Sequence, residues 1–193
     1  MNELDVKRRF AAIYNGQNVE IDHRLLGGMS NYTYVMNMND ELYTFRIPGD
    51  HAEYFVDRNL EKENIKIMDN LNISNETLYF NTENGEKVAK FIAGKSLHTV
   101  DDFPYDKVAT ILKKIHNSGL KAVNDYEPFK RLETYEKYVI DLGYIHTEDY
   151  LVTKLNFLKY QNYLETQPKV LCHGDSQPSN FILEGEDLFT VDF

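Results

Sequence analysis

The chain has 193 residues, a formal net charge of -10, 42% hydrophobic residues, 14 Tyr, 11 Phe and no Trp. That balance belongs to a folded globular protein and excludes a disordered one. So acidic a surface argues against a nucleic-acid partner, whose phosphate backbone it would repel. A single cysteine, Cys172, excludes an internal disulfide and a zinc cluster built from thiolates.

No run reaches the roughly 18 apolar residues that a membrane span requires. The opening MNELDVKRRF has no apolar segment behind its charges, so the expected location is the cytoplasm. Cys172 closes the strand-like run KVLC, where a small buried residue is a better reading than a nucleophile beside His173.

Residues 2–14 place Phe10 and Ile13 at helical spacing, and Asn15-Gly16 ends that helix. Three strands follow: an alternating one from Val19, a second over 32–37 and a third over 42–47. Between the first two lies Gly27-Gly28-Met29-Ser30-Asn31. Two glycines followed by Ser and Asn suit an ordinary hairpin turn. They equally suit a loop whose free backbone donors close over phosphates.

Arg46 ends the third strand before Ile47-Pro48-Gly49. It reads either as a solvated edge residue or as the permanently charged side chain that reaches phosphates. A helix over 53–71 then carries Glu61, Ile65 and Met68 at i, i+4 and i+7. If Glu61 lies on the buried stripe rather than at its border, it needs a cationic partner, and Arg46 is the candidate.

Residues 77–80 and 87–92 form a hairpin around Asn84-Gly85, and Ala93-Gly94-Lys95 breaks the pattern. The change from strands to helices puts a lobe boundary near residue 93. Helices are expected over 104–118, ended by Gly119, over 129–142, and over 147–165. The tyrosines of the last two helices, Tyr135 to Tyr163, read as packing residues rather than an aromatic cage.

The closing stretch VLCHGDSQPSNFILEGEDLFTVDF holds Asp175, Asn180 five residues on, and Asp192 after a hairpin. In phosphoryl transfer a carboxylate orients the attacking hydroxyl, while an Asn and a second Asp hold magnesium at the phosphates. The order and spacing suit that chemistry. A hydrolytic metal centre built from His173, Asp175 and Asp192 is the competing reading, and a polar turn between strands is the plainest one.

Taken together, these segments resemble the choline/ethanolamine kinases and, more widely, the aminoglycoside phosphotransferase relatives of the protein kinases. LGGMSNYTYV resembles the family's phosphate loop, FRIPG its third strand, and DRNLEKEN its helix with the paired acid. KFIAGKSL resembles its hinge, ILKKIHNSG a helix of its second lobe, and LCHGDSQPSN with VDF its catalytic and metal loops. GGMSN together with RIPG resembles the bacterial choline kinases more than the aminoglycoside enzymes.

The resemblance implies an α+β, two-lobed protein-kinase-like fold. Residues 1–93 would form a nucleotide-binding lobe with an antiparallel sheet, and 94–193 a mainly helical, truncated lobe. It implies ATP and Mg2+ as cofactors and a small alcohol, choline or ethanolamine, as acceptor; an aminoglycoside acceptor or an inactive nucleotide-binding module are the alternatives. Asp175 would be the base, and Asn180 and Asp192 the metal ligands. Gly27, Gly28, Met29, Ser30, Asn31, Arg46, Glu61 and Gln177 would serve the nucleotide, with Lys90, Phe91 and Ile92 meeting the adenine. The family's later helices, which build the acceptor pocket, have no counterpart here, so the second lobe is expected to expose apolar surface.

Overall fold

A computed structural model describes residues 2–192, except 16–17, 26–30, 51 and 55 and the side chain of Glu53. Gly27, Gly28, Met29 and Ser30 therefore lie outside the described residues. The chain divides into two compact units, one of residues 1–123 with 171–193, the other of 124–170. The boundary expected near residue 93 falls inside the larger unit, where the chain leaves its first sheet.

In that unit, helix α1 (Glu3–Ile13) is capped by Asn2, whose side chain accepts from the Leu4 amide. Strands β1 (Val19–Leu25), β2 (Asn31–Met38), β3 (Glu41–Pro48), β4 (Thr77–Phe80) and β5 (Lys87–Lys90) form an antiparallel sheet in the order β1-β2-β3-β5-β4. Strand alternation sorts its two faces. Tyr34, Met36, Phe45, Ile47 and Val88 turn to one side, where Val6 and Phe10 of α1 fill the core. Phe10 meets Phe45 edge-on, with ring centroids 5.4 Å apart.

The opposite face mixes Thr33, Thr44, Arg46 and Lys87 with the apolar Val35, Ala89 and Phe80. Thr33 pairs with Arg46, Arg46 with Lys87, and Lys87 with Phe80, so these four make one row across the sheet. Helix α2 (Arg58–Asp69) starts five residues later than the sequence pattern predicts. Asp57 accounts for this, because its carboxylate accepts from the Asn59 and Leu60 amides and fixes the first turn there. A short 3-10 turn, Ala52–Tyr54, precedes it.

Beyond the sheet, β6 (Lys95–Ser96), β7 (Phe181–Glu184) and β8 (Asp187–Thr190) form a second, three-stranded sheet, with β6 an unpredicted addition. Gly94 makes the approach possible: a Cβ there would stand 2.5 Å from the Leu183 carbonyl oxygen. Helix α3 (Tyr105–His116) packs Ile111 and Ile115 with Met68, Leu97, Leu171 and Phe181 in a second core.

The second unit holds α4 (Pro128–Asp141), α5 (Glu148–Leu158) and α6 (Gln161–Glu165). The single helix expected over 147–165 is thus interrupted at Lys159-Tyr160. Phe129 stacks on Phe157 at 5.1 Å, and Glu136 accepts from Tyr150 Oη and Lys154 Nζ, both at 2.7 Å. Those two hydrogen bonds, Lys154 first, hold the Glu136 carboxyl below its usual range. Leu142, Ile145 and Leu155 are exposed, as are Tyr144, Tyr160 and Tyr163, and Phe129 is the one buried residue described in this unit.

The run KVLC is irregular rather than a strand, and Cys172 is exposed rather than buried. Its neighbours Leu171 and His173 turn inward, which leaves the cysteine outward.

Candidate active site

The row of the sheet that holds Arg46 faces α2. Arg46 Nη2 lies 2.5 Å from Glu61 Oε1, and Arg58 Nη1 lies 2.6 Å from Glu61 Oε2. One carboxylate thus holds two guanidinium groups, and Arg46 and Glu61 are both nearly excluded from solvent. An acid with both oxygens engaged by cations is the arrangement that makes such burial tolerable.

Two further contacts orient Arg46. Its Nη2 donates to the Gly85 carbonyl at 3.4 Å, and its Nη1 faces Asp192 Oδ1 at 3.5 Å. Gly85 has φ +73°, and a Cβ there would meet Arg58 Nε at 2.6 Å and Pro48 Cγ at 2.7 Å. The Asn84-Gly85 turn is therefore more than a connection: it seats the cations.

The catalytic-loop residues converge through the β7–β8 hairpin. Val191 N donates to the Asn180 carbonyl at 2.9 Å, and the buried Thr190 hydroxyl donates to the same oxygen at 3.2 Å. This fixes Asn180 beside the chain leading to Asp192. Asn180 Nδ2 donates to both the Asp175 carbonyl (2.9 Å) and Asp175 Oδ2 (3.0 Å), and Gln177 Nε2 donates to Asp175 Oδ2 at 2.9 Å. Asp175 stays exposed while its carboxylate is aimed by two amides.

His173 supports this loop from below. Its Nδ1 accepts from the Asp175 amide at 3.3 Å. Burial pushes the imidazole pKa down, against a backbone hydrogen bond with Val191 and the charges of Asp175 and Asp192. It is therefore a neutral support at physiological pH rather than a cation.

With its amide nitrogen spent on Asp175, Asn180 presents its Oδ1, which accepts one long hydrogen bond from Ser179 Oγ at 3.5 Å, as a hard oxygen donor, and the half-exposed Asp192 carboxylate is another. An Asn oxygen and a carboxylate fit magnesium, which takes a few protein oxygens and keeps places for phosphate and water. Among the described residues no group of three or more His, Cys, Asp or Glu is placed to bind a metal. The His173–Asp175–Asp192 metal centre considered from sequence is therefore not assembled.

At the hinge, Lys90 N donates to Glu76 O, Lys90 O accepts from Asn75 Nδ2, and Phe91 N donates to Leu42 O. Among the described residues none hydrogen-bonds to the Phe91 carbonyl or to the backbone groups of Ile92. Gln177 is turned to Asp175. Asn31, the one described residue of the glycine loop, begins β2 opposite Pro48.

Two participants were not singled out from sequence. Arg58 had a visible signal, its i, i+3 spacing from Glu61. Lys87 had none, since only strand register puts it beside Arg46. It is partly buried, and burial, then the Arg46 charge, pulls its pKa down to about 8 against Asp192, Glu61 and Asp69.

Comparison with known proteins bears on the same elements. Protein LicA of Haemophilus influenzae is 21% identical over 175 residues, 87% of this chain and 51% of LicA. The chain thus spans about half the length of that relative. The choline kinase LicA from Streptococcus pneumoniae superimposes with a TM-score of 0.81 at 24% identity, over 97% of this chain and 68% of that one. A LicA structure in complex with AMP gives a TM-score of 0.77 at 24% identity, over 97% of this chain and 67% of that one. A choline/ethanolamine kinase family protein from Mesorhizobium loti gives 0.73 at 22% identity, over 99% of this chain and 64% of that one. The fold is accordingly protein-kinase-like, with an antiparallel sheet followed by helices. The choline/ethanolamine kinase profile matches residues 23–193, which takes in the first sheet from within β1, α2 and the stretch from Asp175 to Asp192, and the chain belongs to that family.

Proposed function

We propose that this chain carries the nucleotide and catalytic sites of an ATP- and magnesium-dependent kinase. It would transfer the γ-phosphoryl group to the hydroxyl of a small amino alcohol, choline above all. The observation that carries this reading is the position of Arg46. One guanidinium contacts Glu61 on α2 and faces Asp192 after β8, so the cation site and the acidic loop address one volume.

In this reading residues 1–93 hold the nucleotide and 94–193 supply the reacting groups. Asp175, aimed by Asn180 and Gln177, accepts the proton of the acceptor hydroxyl as the oxygen attacks phosphorus. Arg46 offsets phosphate charge and is kept in place by Glu61. Asn180 and Asp192 would hold magnesium, which when bound neutralises the phosphate oxygens. Phe91 and Ile92 meet the adenine, and the loop of Gly27, Gly28, Met29, Ser30 and Asn31 covers the phosphates. No helix among the described residues is long and apolar enough to cross a membrane, and use of ATP suits the cytoplasm.

The test is transfer of label from radiolabelled ATP to choline by the gene's full product and by its Asp175→Ala variant, with ethanolamine and an aminoglycoside as competing acceptors. Choline labelling by the natural protein alone is the expected result. Equal labelling by both proteins overturns the role of Asp175, and preference for another acceptor overturns choline.

A further inference from the structure

Lys87 is the charged residue of the Arg46 sheet face that the reading above leaves unused. Register places it directly across from Arg46 and, on its other side, across from Phe80. Residues directly opposite in neighbouring strands project to the same face, so two cationic side chains stand next to each other there.

Their bonding differs. Arg46 is largely occupied: Nη2 on Glu61 and the Gly85 carbonyl, Nη1 facing Asp192. Its Nε is buried with no hydrogen-bond partner among the described residues. Among the described residues none hydrogen-bonds or ion-pairs with the Lys87 ammonium. The charged groups around it are Arg46 on β3, Glu61 and Asp69 on α2, and Asp192 after β8. Glu61 is already shared by Arg46 and Arg58, and Asp192 is half exposed.

A partly buried ammonium beside a guanidinium, with no carboxylate in contact, is costly unless an anion arrives. Its three donors stand on the same sheet face as the Arg46 guanidinium, one register position away across the strand pair. That is a donor set for a phosphate group, and none of the described residues takes up the ammonium's share of it.

Resting on the nucleotide-site reading above, we propose that Lys87 is a second phosphate-binding cation, which acts with Arg46 on the phosphate groups of the bound nucleotide. The depressed basicity of the free amine accords with this, because perturbed titrating groups concentrate where a ligand completes the charge balance. Arrival of the phosphates would return the ammonium to full protonation.

Calorimetric binding of ADP and of adenosine to the natural chain, Lys87→Met and Lys87→Arg decides the matter. Lys87→Met should bind ADP about tenfold or more weakly, the scale of a lost charge-assisted hydrogen bond, while adenosine binding stays within about twofold. Lys87→Arg should keep most of the ADP affinity. Equal losses for ADP and adenosine, or no loss for ADP, overturn the phosphate role while leaving the kinase reading standing. A natural chain that binds neither ligand overturns both.

A second measurement needs no variant. In the natural chain ADP, but not adenosine, should protect Lys87 from acetylation read by mass spectrometry, while Lys114, exposed on α3, is labelled in all cases. Unprotected Lys87 with ADP bound overturns the proposal even if Lys87→Met fails to fold.

Discussion

On the sheet side of the site, Arg46 and Glu61 keep 8% and 9% of their side-chain surface exposed and are paired at 2.5 Å. On the loop side, Asp192 keeps 52%, and Asp175 is open to solvent with its carboxylate held by two amides. Burial forces the first set to be neutralised within the protein before any ligand arrives. Exposure lets the second set remain charged and exchange partners as a reaction requires. Substitutions on the loop side should therefore damage chemistry and spare the fold, and those on the sheet side should damage the fold together with nucleotide binding.

The largest effect expected from that contrast is at Asp175. Asp175→Asn should lower phosphate transfer by about 10²- to 10⁴-fold, the usual contribution of a general base, with an unchanged melting temperature. The variant retains an acceptor oxygen for Asn180 or Gln177 and loses the proton acceptor. A fall in melting temperature comparable to that of a core variant would break the contrast by showing that the loop carries stability.

Next is Glu61→Gln. It leaves Arg46 and Arg58 facing one neutral amide, and breaking a buried pair in this way costs about 3 kcal/mol or more. Chemical denaturation should show that loss, and ADP affinity should fall with it because Arg46 is no longer aimed. Stability equal to the natural chain would mean that Glu61 is not the anchor of the cation cluster.

Gly85→Ala should follow, at about 1–3 kcal/mol. The left-handed φ is unfavourable for alanine, and the new Cβ would meet Arg58 Nε and Pro48 Cγ. The defect should be seen in stability and in ADP binding alike, since the same turn supplies the carbonyl that Arg46 uses. Gly143→Ala makes the control: also at positive φ, +84°, but with nothing within 4 Å of the added atom.

The sequence made the loop side easier to read than the sheet side. Asp175 and Asn180 are five residues apart in one loop, and a hairpin with a short turn leads to Asp192, so local spacing carries the geometry. Glu61 was placed by helical periodicity and Arg46 by the charge such an acid needs, yet their contact spans a strand and a helix. Lys87 was missed because its place beside Arg46 depends on pairing between β3 and β5, which no local pattern fixes. The start of α2 was set too early because apolar periodicity was followed past Asp57, whose capping geometry decides the boundary. Cys172 was misjudged because a run of apolar residues was read as a strand, whereas the chain there turns only alternate side chains inward.

The smallest expected effect concerns Lys87 and tests whether the sheet side is complete without a ligand. Its pKa is about 8 in the folded chain, against 10.5 for the free amine. Below pH 8 both folded and unfolded chains hold the proton, so this group gives no pH dependence. Between about 8 and 10.5 the unfolded chain binds more protons, and stability rises with pH. The gain attributable to Lys87 is at most about 1 kcal/mol between pH 8 and 9. It is isolated by subtracting the profile of Lys87→Met, because other lysines and tyrosines titrate in the same range. Saturating ADP should flatten the difference, since phosphate charge holds the ammonium protonated. Parallel profiles for the natural chain and Lys87→Met without ligand would show that Lys87 is solvated like any surface lysine, and the sheet side would then consist of Arg46, Arg58 and Glu61 alone.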